Sequence, residues 1–261
     1  MSQDQIANLS RRQFLLTSVK LGTGLTLGLH LAAYSDEDQA VATPGQASGK
    51  TMTDPPFKPN AFIRIGSDNR ITVIIKHLEM GQGTYTGLAT LVAEELEAAW
   101  SQINVEGAPV NAKLYNNLFW GSVQGTGGSS AIANSFKQMR EAGAAARQML
   151  VAAAAKKWRV AVAEITVREG VLRHQASAQQ ATFGAMAELA AQEPVPQEVS
   201  LKEAEAFRLI GQNLPRKDTH DKIYGTAVFT QDIKLPGLLT AVVAHPPRFG
   251  AKVKSFDAST A

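Results

Sequence analysis

His77-Leu78-Glu79-Met80-Gly81-Gln82-Gly83-Thr84-Tyr85-Thr86 decides the reading of this chain. The stretch follows an apolar, β-branched run, Ile71-Thr72-Val73-Ile74-Ile75, and precedes a segment with helical spacing. That layout, strand then glycine turn then helix, directs main-chain N–H groups toward an anion. Gly81 and Gly83 lack a Cβ, so the turn can bend sharply and a phosphate can approach the backbone. The positive end of the following helix dipole points to the same place. The turn is neither a Walker A loop, since it lacks Gly-Lys-Ser/Thr, nor a dinucleotide G-x-G-x-x-G, since Gly87 comes one place late. Gln82 adds an amide able to donate and accept, and Thr86 adds a hydroxyl in the first helical turn.

Outward from this turn, the apolar periodicity predicts the neighbouring elements. Residues 61–75 read as a hairpin turning at Gly66-Ser67-Asp68-Asn69. Leu88, Leu91, Val92 and Leu96 mark one helix face, and Glu94, Glu95 and Glu97 are expected on its solvated side. Ile103 to Glu106 reads as a strand and Asn116 to Ser130 as irregular. A second glycine cluster, Gly125-Thr126-Gly127-Gly128-Ser129-Ser130, opens a long helix running from Ile132 through the Ala152–Ala155 run to Trp158. Ser129 or Ser130 is the expected cap of that helix. Arg140 and Arg147 read as surface charges on it. Two helix starts of this kind can grip one extended anionic ligand from two sides if the fold brings them together. A small hairpin turns at Glu169-Gly170, and Thr182 to Gln192 reads as a helix. Further strands are expected at Tyr224 to Ile233 and Leu238 to Ala244, on either side of Leu235-Pro236-Gly237.

Composition narrows the classes. With 44% hydrophobic and 19% charged residues the chain is globular rather than disordered, and a net charge of +3 without a Lys/Arg cluster argues against nucleic acid as partner. There is no cysteine in the 261 residues, which excludes disulfides, thiolate nucleophiles and Cys-ligated iron–sulfur clusters in this chain. His30, His77, His174, His220 and His245 show no metal-ligand spacing and read as ordinary surface or core histidines; no metal-ligating residue is assigned. At the N-terminus Ser10-Arg11-Arg12-Gln13-Phe14-Leu15 and the apolar stretch to Ala33 resemble a twin-arginine export signal, with Ala40-Val41-Ala42 as a small-residue cleavage site. The expected location is the periplasm, an uncleaved anchor being the alternative.

Three ordered motifs carry a family resemblance across residues 60–261. Glu79-Met80-Gly81-Gln82-Gly83 with Thr86 and Ala93-Glu94-Glu95-Leu96 resembles a signature of the xanthine dehydrogenase/aldehyde oxidoreductase family of molybdenum hydroxylases. Thr126-Gly127-Gly128-Ser129-Ser130 is similar to the family's next cofactor-binding segment. Gly225 to Ile233 with Leu235-Pro236-Gly237-Leu238-Leu239 resembles the opening of its hammerhead domain. Motif order and leader resemble the large chains of the isoquinoline 1-oxidoreductase branch. The resemblance implies an α+β chain: leader 1–42, linker 43–58, molybdopterin-binding lobe 59–193, linker 194–214 and the start of a truncated hammerhead domain at 215–261.

The resemblance also implies a molybdopterin cytosine dinucleotide cofactor held by Gly81, Gln82, Gly83, Thr86, Thr126, Gly127, Gly128, Ser129 and Ser130. The partner is a small iron–sulfur (2Fe–2S) subunit, which removes the need for cysteine here. Substrates are N-heteroaromatics or aldehydes, hydroxylated with oxygen from water. The family's glutamate base lies near the far C-terminus of much longer subunits. Glu79, Glu94 and Glu95 do not match its motif, so no catalytic residue is assigned and the chain is expected to be a fragment, inactive alone. Two rivals remain: a non-catalytic exported binding or assembly module or degenerate remnant, and an ordinary nucleotide-binding enzyme using the first turn.

Overall fold

The structure is a computed structural model, and it describes residues 57–259. The expected leader and nearly all of the first linker lie outside them. The described chain is α+β. A four-stranded sheet runs in the order β1 (Phe57–Asn60), β2 (Ile63–Ile65), β3 (Ile71–Ile75) and β4 (Ile103–Gly107). β1, β2 and β3 form an antiparallel meander, with Ile63 opposite Val73 and Ile65 opposite Ile71. β3 and β4 are parallel, with Ile71 opposite Ile103, and helix α1 (Thr84–Leu96) makes the crossover between them. A parallel pair requires such a crossover, and the glycine turn supplies its first bend.

A short helix α2 (Ala112–Tyr115) and an irregular loop lead to α3 (Ala131–Trp158), which packs along α1. The contact is close because of one residue. A Cβ on Gly143 would come within 2.5 Å of the Val92 carbonyl oxygen, so only glycine lets the two helix backbones approach this far. Met139, Ala142, Ala146 and Leu150 of α3 then meet Leu88, Val92 and Leu96 of α1 in one core with the isoleucines of β2 and β3. A second sheet, β5 (Ile165–Arg168), β6 (Val171–His174) and β7 (Gln179–Thr182), is an antiparallel meander. The expected hairpin is present. β7 was not anticipated, because Gln-Gln-Ala-Thr carries no apolar alternation; it forms by pairing with β6. Helix α4 (Phe183–Ala190) follows, capped by the Thr182 hydroxyl.

Two expectations are corrected. Glu94 and Glu95 are buried, not solvated, at 1% and 0% exposure. The reason is that residues 202–210 pack onto α1 at these two carboxylates. Glu94 accepts the Lys202 ammonium and the N–H groups of Arg208, Leu209 and Ile210. Burial raises the Glu94 carboxyl, but the Lys202 bond and those amides together bring it below the ordinary range. Glu95 accepts from the Arg140 guanidinium at 2.7 Å and from Lys202 N–H. Arg140 is therefore an inward-facing partner lying between the rings of Phe136 and Phe207, not a surface charge. The stretch read as a linker does this binding.

The second correction concerns residues 224–259. After the short helix α5 (Thr219–Ile223) they form no strand, and Leu239 and Val242 are each 90% exposed. Apolar composition alone does not make a strand. A strand needs a neighbouring strand for its backbone N–H and C=O groups; among the described residues these make only local turn bonds, such as Thr226 N–H to the Asp221 carbonyl and Leu238 N–H to the Leu235 carbonyl.

Candidate functional site

The first glycine turn is closed by its own side chains. The Glu79 carboxylate accepts from the N–H groups of Gly81 (2.7 Å), Gly83 (3.0 Å) and Tyr85 (3.0 Å). Burial on its own raises the Glu79 carboxyl, yet the amides of Gly83, Tyr85 and Gly81 outweigh it and hold the group below its ordinary value of 4.5. Gln82 donates to the Leu78 carbonyl and accepts from Met80 N–H, bracing the same loop. Gly81 and Gly83 sit at φ +105 and +93, where a side chain is strained. The amides expected to meet a phosphate are thus turned onto an anion, and in the structure that anion is Glu79. Arg216 reaches back from after the 202–210 segment, donating to the Gly81 carbonyl and to Glu79. Lys217 N–H donates to the Thr86 hydroxyl.

The second turn is held by buried neutral groups instead. Asn117, 0% exposed, donates to the Gly125 carbonyl and the Ser130 hydroxyl, and its carbonyl accepts from Phe119 N–H. Ser130 stands at the N-cap of α3 but makes no side-chain cap; its hydroxyl donates to the Gly127 carbonyl at 2.7 Å. The capping expected from Ser129 or Ser130 is therefore absent. Gly128 and Ser129 are both left-handed, at φ +59 and +53, an uncommon conformation for serine.

A polar seam binds the two turns together. Leu78 N–H donates to the Thr126 hydroxyl at 2.8 Å. His77, 1% exposed, lies with Nδ1 3.3 Å from that hydroxyl and Nε2 3.0 Å from Asn134 Nδ2. Asn134 also donates to the Ser130 carbonyl at 2.6 Å, which assigns Nδ2 as the amino group and His77 Nε2 as an acceptor. Burial first, then the charge of Lys76, lowers the His77 pKa and keeps the ring neutral. Lys76 is itself buried, donating to the neutral oxygens of Asn116 and Gln138, and burial lowers its pKa to about 8.

Between the turns lies a cleft of about 430 Å³ lined by Gln82, Gly83, Thr84, Gly87, Ser129, Ala131 and Ile132. The starts of α1 and α3 flank it, so close that a Cβ on Gly87 would come within 2.9 Å of Ile132 Cδ1. The two helix starts singled out from sequence thus share one cleft. Of the nine proposed binding residues, Gln82, Gly83 and Ser129 line it. Gly81 and Gly128 adjoin the lining, Thr126 joins the turns, and Gly127 lies against the Trp120 ring. Thr86 and Ser130 spend their hydroxyls inside the protein. Sequence reasoning missed Glu79 as the closing anion, His77, Asn117 and Asn134 as the seam, and Arg216. Only Glu79 offered a signal, two residues before Gly81 and four before Gly83.

Residues 4–236 match the family described as molybdopterin cofactor-binding domain. The chain belongs to that family. Among curated relatives of this molybdopterin-binding chain, the beta chain of isoquinoline 1-oxidoreductase from Brevundimonas diminuta is 31% identical, the match covering 98% of this chain and 36% of the relative. A membrane-bound aldehyde dehydrogenase (pyrroloquinoline-quinone) of Gluconacetobacter polyoxogenes is 34% identical over 96% of this chain and 31% of its own length. A nicotinate dehydrogenase chain of Pseudomonas putida is 27% identical over 78% and 17%. The chain therefore spans about a third or less of the length of these relatives. Among solved structures, quinoline 2-oxidoreductase from Pseudomonas putida 86 matches 52% of this chain and 17% of its own at TM-score 0.40 and 19% identity.

Proposed function

We propose that this chain supplies part of the molybdopterin-binding large subunit of a periplasmic hydroxylase that oxidises N-heteroaromatic compounds or aldehydes. The observation that carries the reading is the single cleft flanked by the starts of α1 and α3. Its lining fits a pterin dinucleotide. Glycine backbone, hydroxyls and the Gln82 amide are neutral hydrogen-bonding groups, and beside Gly83 there is open space where a Cβ would stand.

In this reading the Ser129 hydroxyl and the second N–H of the Gln82 amide hold the cofactor's polar edges, and Gly83 lets them approach; Thr84 lines the wall with its hydroxyl already donating to the Leu78 carbonyl. Ile132 and Ala131 exclude water from one wall, and the His77–Asn134 seam fixes the distance between the turns. The bound cofactor supplies the metal at which an electron-poor carbon is hydroxylated with oxygen from water. The cytosine dinucleotide form, the small iron–sulfur partner and twin-arginine export are part of the same proposal. Glu79, Glu94 and Glu95 are not its catalytic base, because each carboxylate is committed to amides or a cation.

The test is to express the full chain with a small iron–sulfur subunit and to measure molybdenum by mass spectrometry and nucleotide released by acid. Molybdenum and CMP together support the reading. Their absence from a folded, exported chain overturns it in favour of a non-catalytic exported module.

A further inference from the structure

The loop of residues 117–125 is built with unusual care for a surface connection. The buried Asn117 makes its side-chain bonds across it, and Asn117 N–H also donates to the Val123 carbonyl at 2.8 Å. Trp120 N–H donates to the Asn117 carbonyl, and Asn116 donates to the Gly121 carbonyl. On the outer side Gln124 bonds both the Pro109 carbonyl and Asn111 N–H. This network fixes the backbone, yet it leaves two adjacent aromatic side chains in water: Phe119 is 54% exposed and Trp120 43%. Holding large aromatic surface exposed gains nothing for folding, since burial is where such rings stabilise.

The Trp120 ring has a defined seat. Its six-membered edge lies along the backbone from Gly125 to Gly127. A Cβ on Gly125 would come within 2.7 Å of Cζ3 and one on Gly127 within 3.0 Å of Cη2. Glycine at both positions is what lets the indole settle there. The ring thus stands on the second glycine turn, beside the segment that reaches Ser129 in the cleft wall, with nearly half its residue surface free.

We infer that Trp120, seated on Gly125 and Gly127, is a stacking platform for a flat heteroaromatic ring bound at the edge of the cleft. A rigid, partly exposed indole on a fixed backbone loses little freedom when a planar ring stacks on it, and electron-poor rings favour that contact. The inference rests on the reading of the cleft given above, and the ring has two sources, the pterin or the substrate.

The experiment titrates the full chain with isoquinoline and, separately, with pterin-6-carboxylate, following tryptophan fluorescence and, by equilibrium dialysis, affinity. Saturable quenching is expected from one probe, and the probe that quenches identifies the source. Trp120→Phe, which keeps a ring, is expected to lose most of the quenching while holding affinity within about threefold; Trp120→Leu lowers affinity about fivefold. Gly125→Ala, which must shift the indole, is expected to weaken the same probe. No saturable quenching by either probe, or equal affinity in Trp120→Leu, overturns the inference. Molybdenum content in the co-expressed complex is read in parallel. Retained metal with no ring binding at Trp120 refutes the platform alone, whereas loss of metal from the unaltered chain refutes the cleft's assignment. If Trp120→Leu does not fold, the quenching measurement on the unaltered chain still decides.

Discussion

Both glycine turns open a helix onto the same cleft, but they are held in different ways, the first through its amides and the second through its carbonyls. At the start of α1 a charged side chain, Glu79, turns inward and takes the N–H groups of Gly81, Gly83 and Tyr85. At the start of α3 no side chain caps the helix, and the turn is shaped from behind by Asn117, Ser130 and Asn134, which are neutral and buried. One wall of the cleft is thus stabilised by an ionised group whose partners reach solvent. The other is stabilised by a fully internal hydrogen-bond network. The first should respond to acid and to cation loss, and the second to loss of any one buried amide.

The largest test removes the second turn's support. Asn117→Ala removes the donor to the Gly125 carbonyl and the Ser130 oxygen and the acceptor of Phe119 N–H, and should cost about 3 kcal/mol of stability. Denaturant unfolding gives the loss. Hydrogen exchange should show residues 117–130 opening while 79–85 stay protected. Equal loosening of both turns would erase the distinction between them. Glu79→Ala is the reciprocal change, at about 1–2 kcal/mol, with faster exchange at Gly81, Gly83 and Tyr85 and none added at the second turn.

Acid reads the same contrast without mutation. Since the Glu79 pKa is lowered in the folded state, the unfolded chain binds more protons just below 4.5, and stability falls as pH drops through that window. Exchange at the first turn should therefore rise below about pH 4.5 in the unaltered chain, and Glu79→Gln should abolish that dependence. The smallest effect is a gain. Ser129→Gly relieves a left-handed serine and should stabilise the second turn by about 0.5 kcal/mol, seen as a rise in Tm.

The legible and illegible parts of the chain divide along physical lines. β2, β3, β4, α1 and α3 were readable because their apolar spacing matches the period of the element that buries it, as at Leu88, Leu91, Val92 and Leu96. The glycine turns were readable as bends because Gly81, Gly83 and Gly128 occupy positive φ. What could not be read was pairing between distant segments. Glu94 and Glu95 look like solvent-facing residues until Lys202 and Arg140 are placed beside them. Likewise, the residues around Leu239 and Val242 have strand composition and no strand, since composition does not provide a neighbour. The site was half visible. The glycines and Gln82 announced themselves, but the seam of His77, Asn117 and Asn134 is made of residues whose meaning depends wholly on what they touch.

The bonds from residues 202–210 to Glu94 and Glu95 join positions 107 to 116 apart in the sequence. On a ribosome, α1 therefore emerges long before the Lys202 ammonium that neutralises Glu94, whereas Arg140, the partner of Glu95, follows 45 residues on. The Glu94 carboxylate meets its cation and amides only after a loop of more than a hundred residues has closed, a step whose entropy delays it. The electrostatic completion of α1 is in this way timed by the segment made after the lobe, and a nascent chain short of that point carries Glu94 without its ammonium partner.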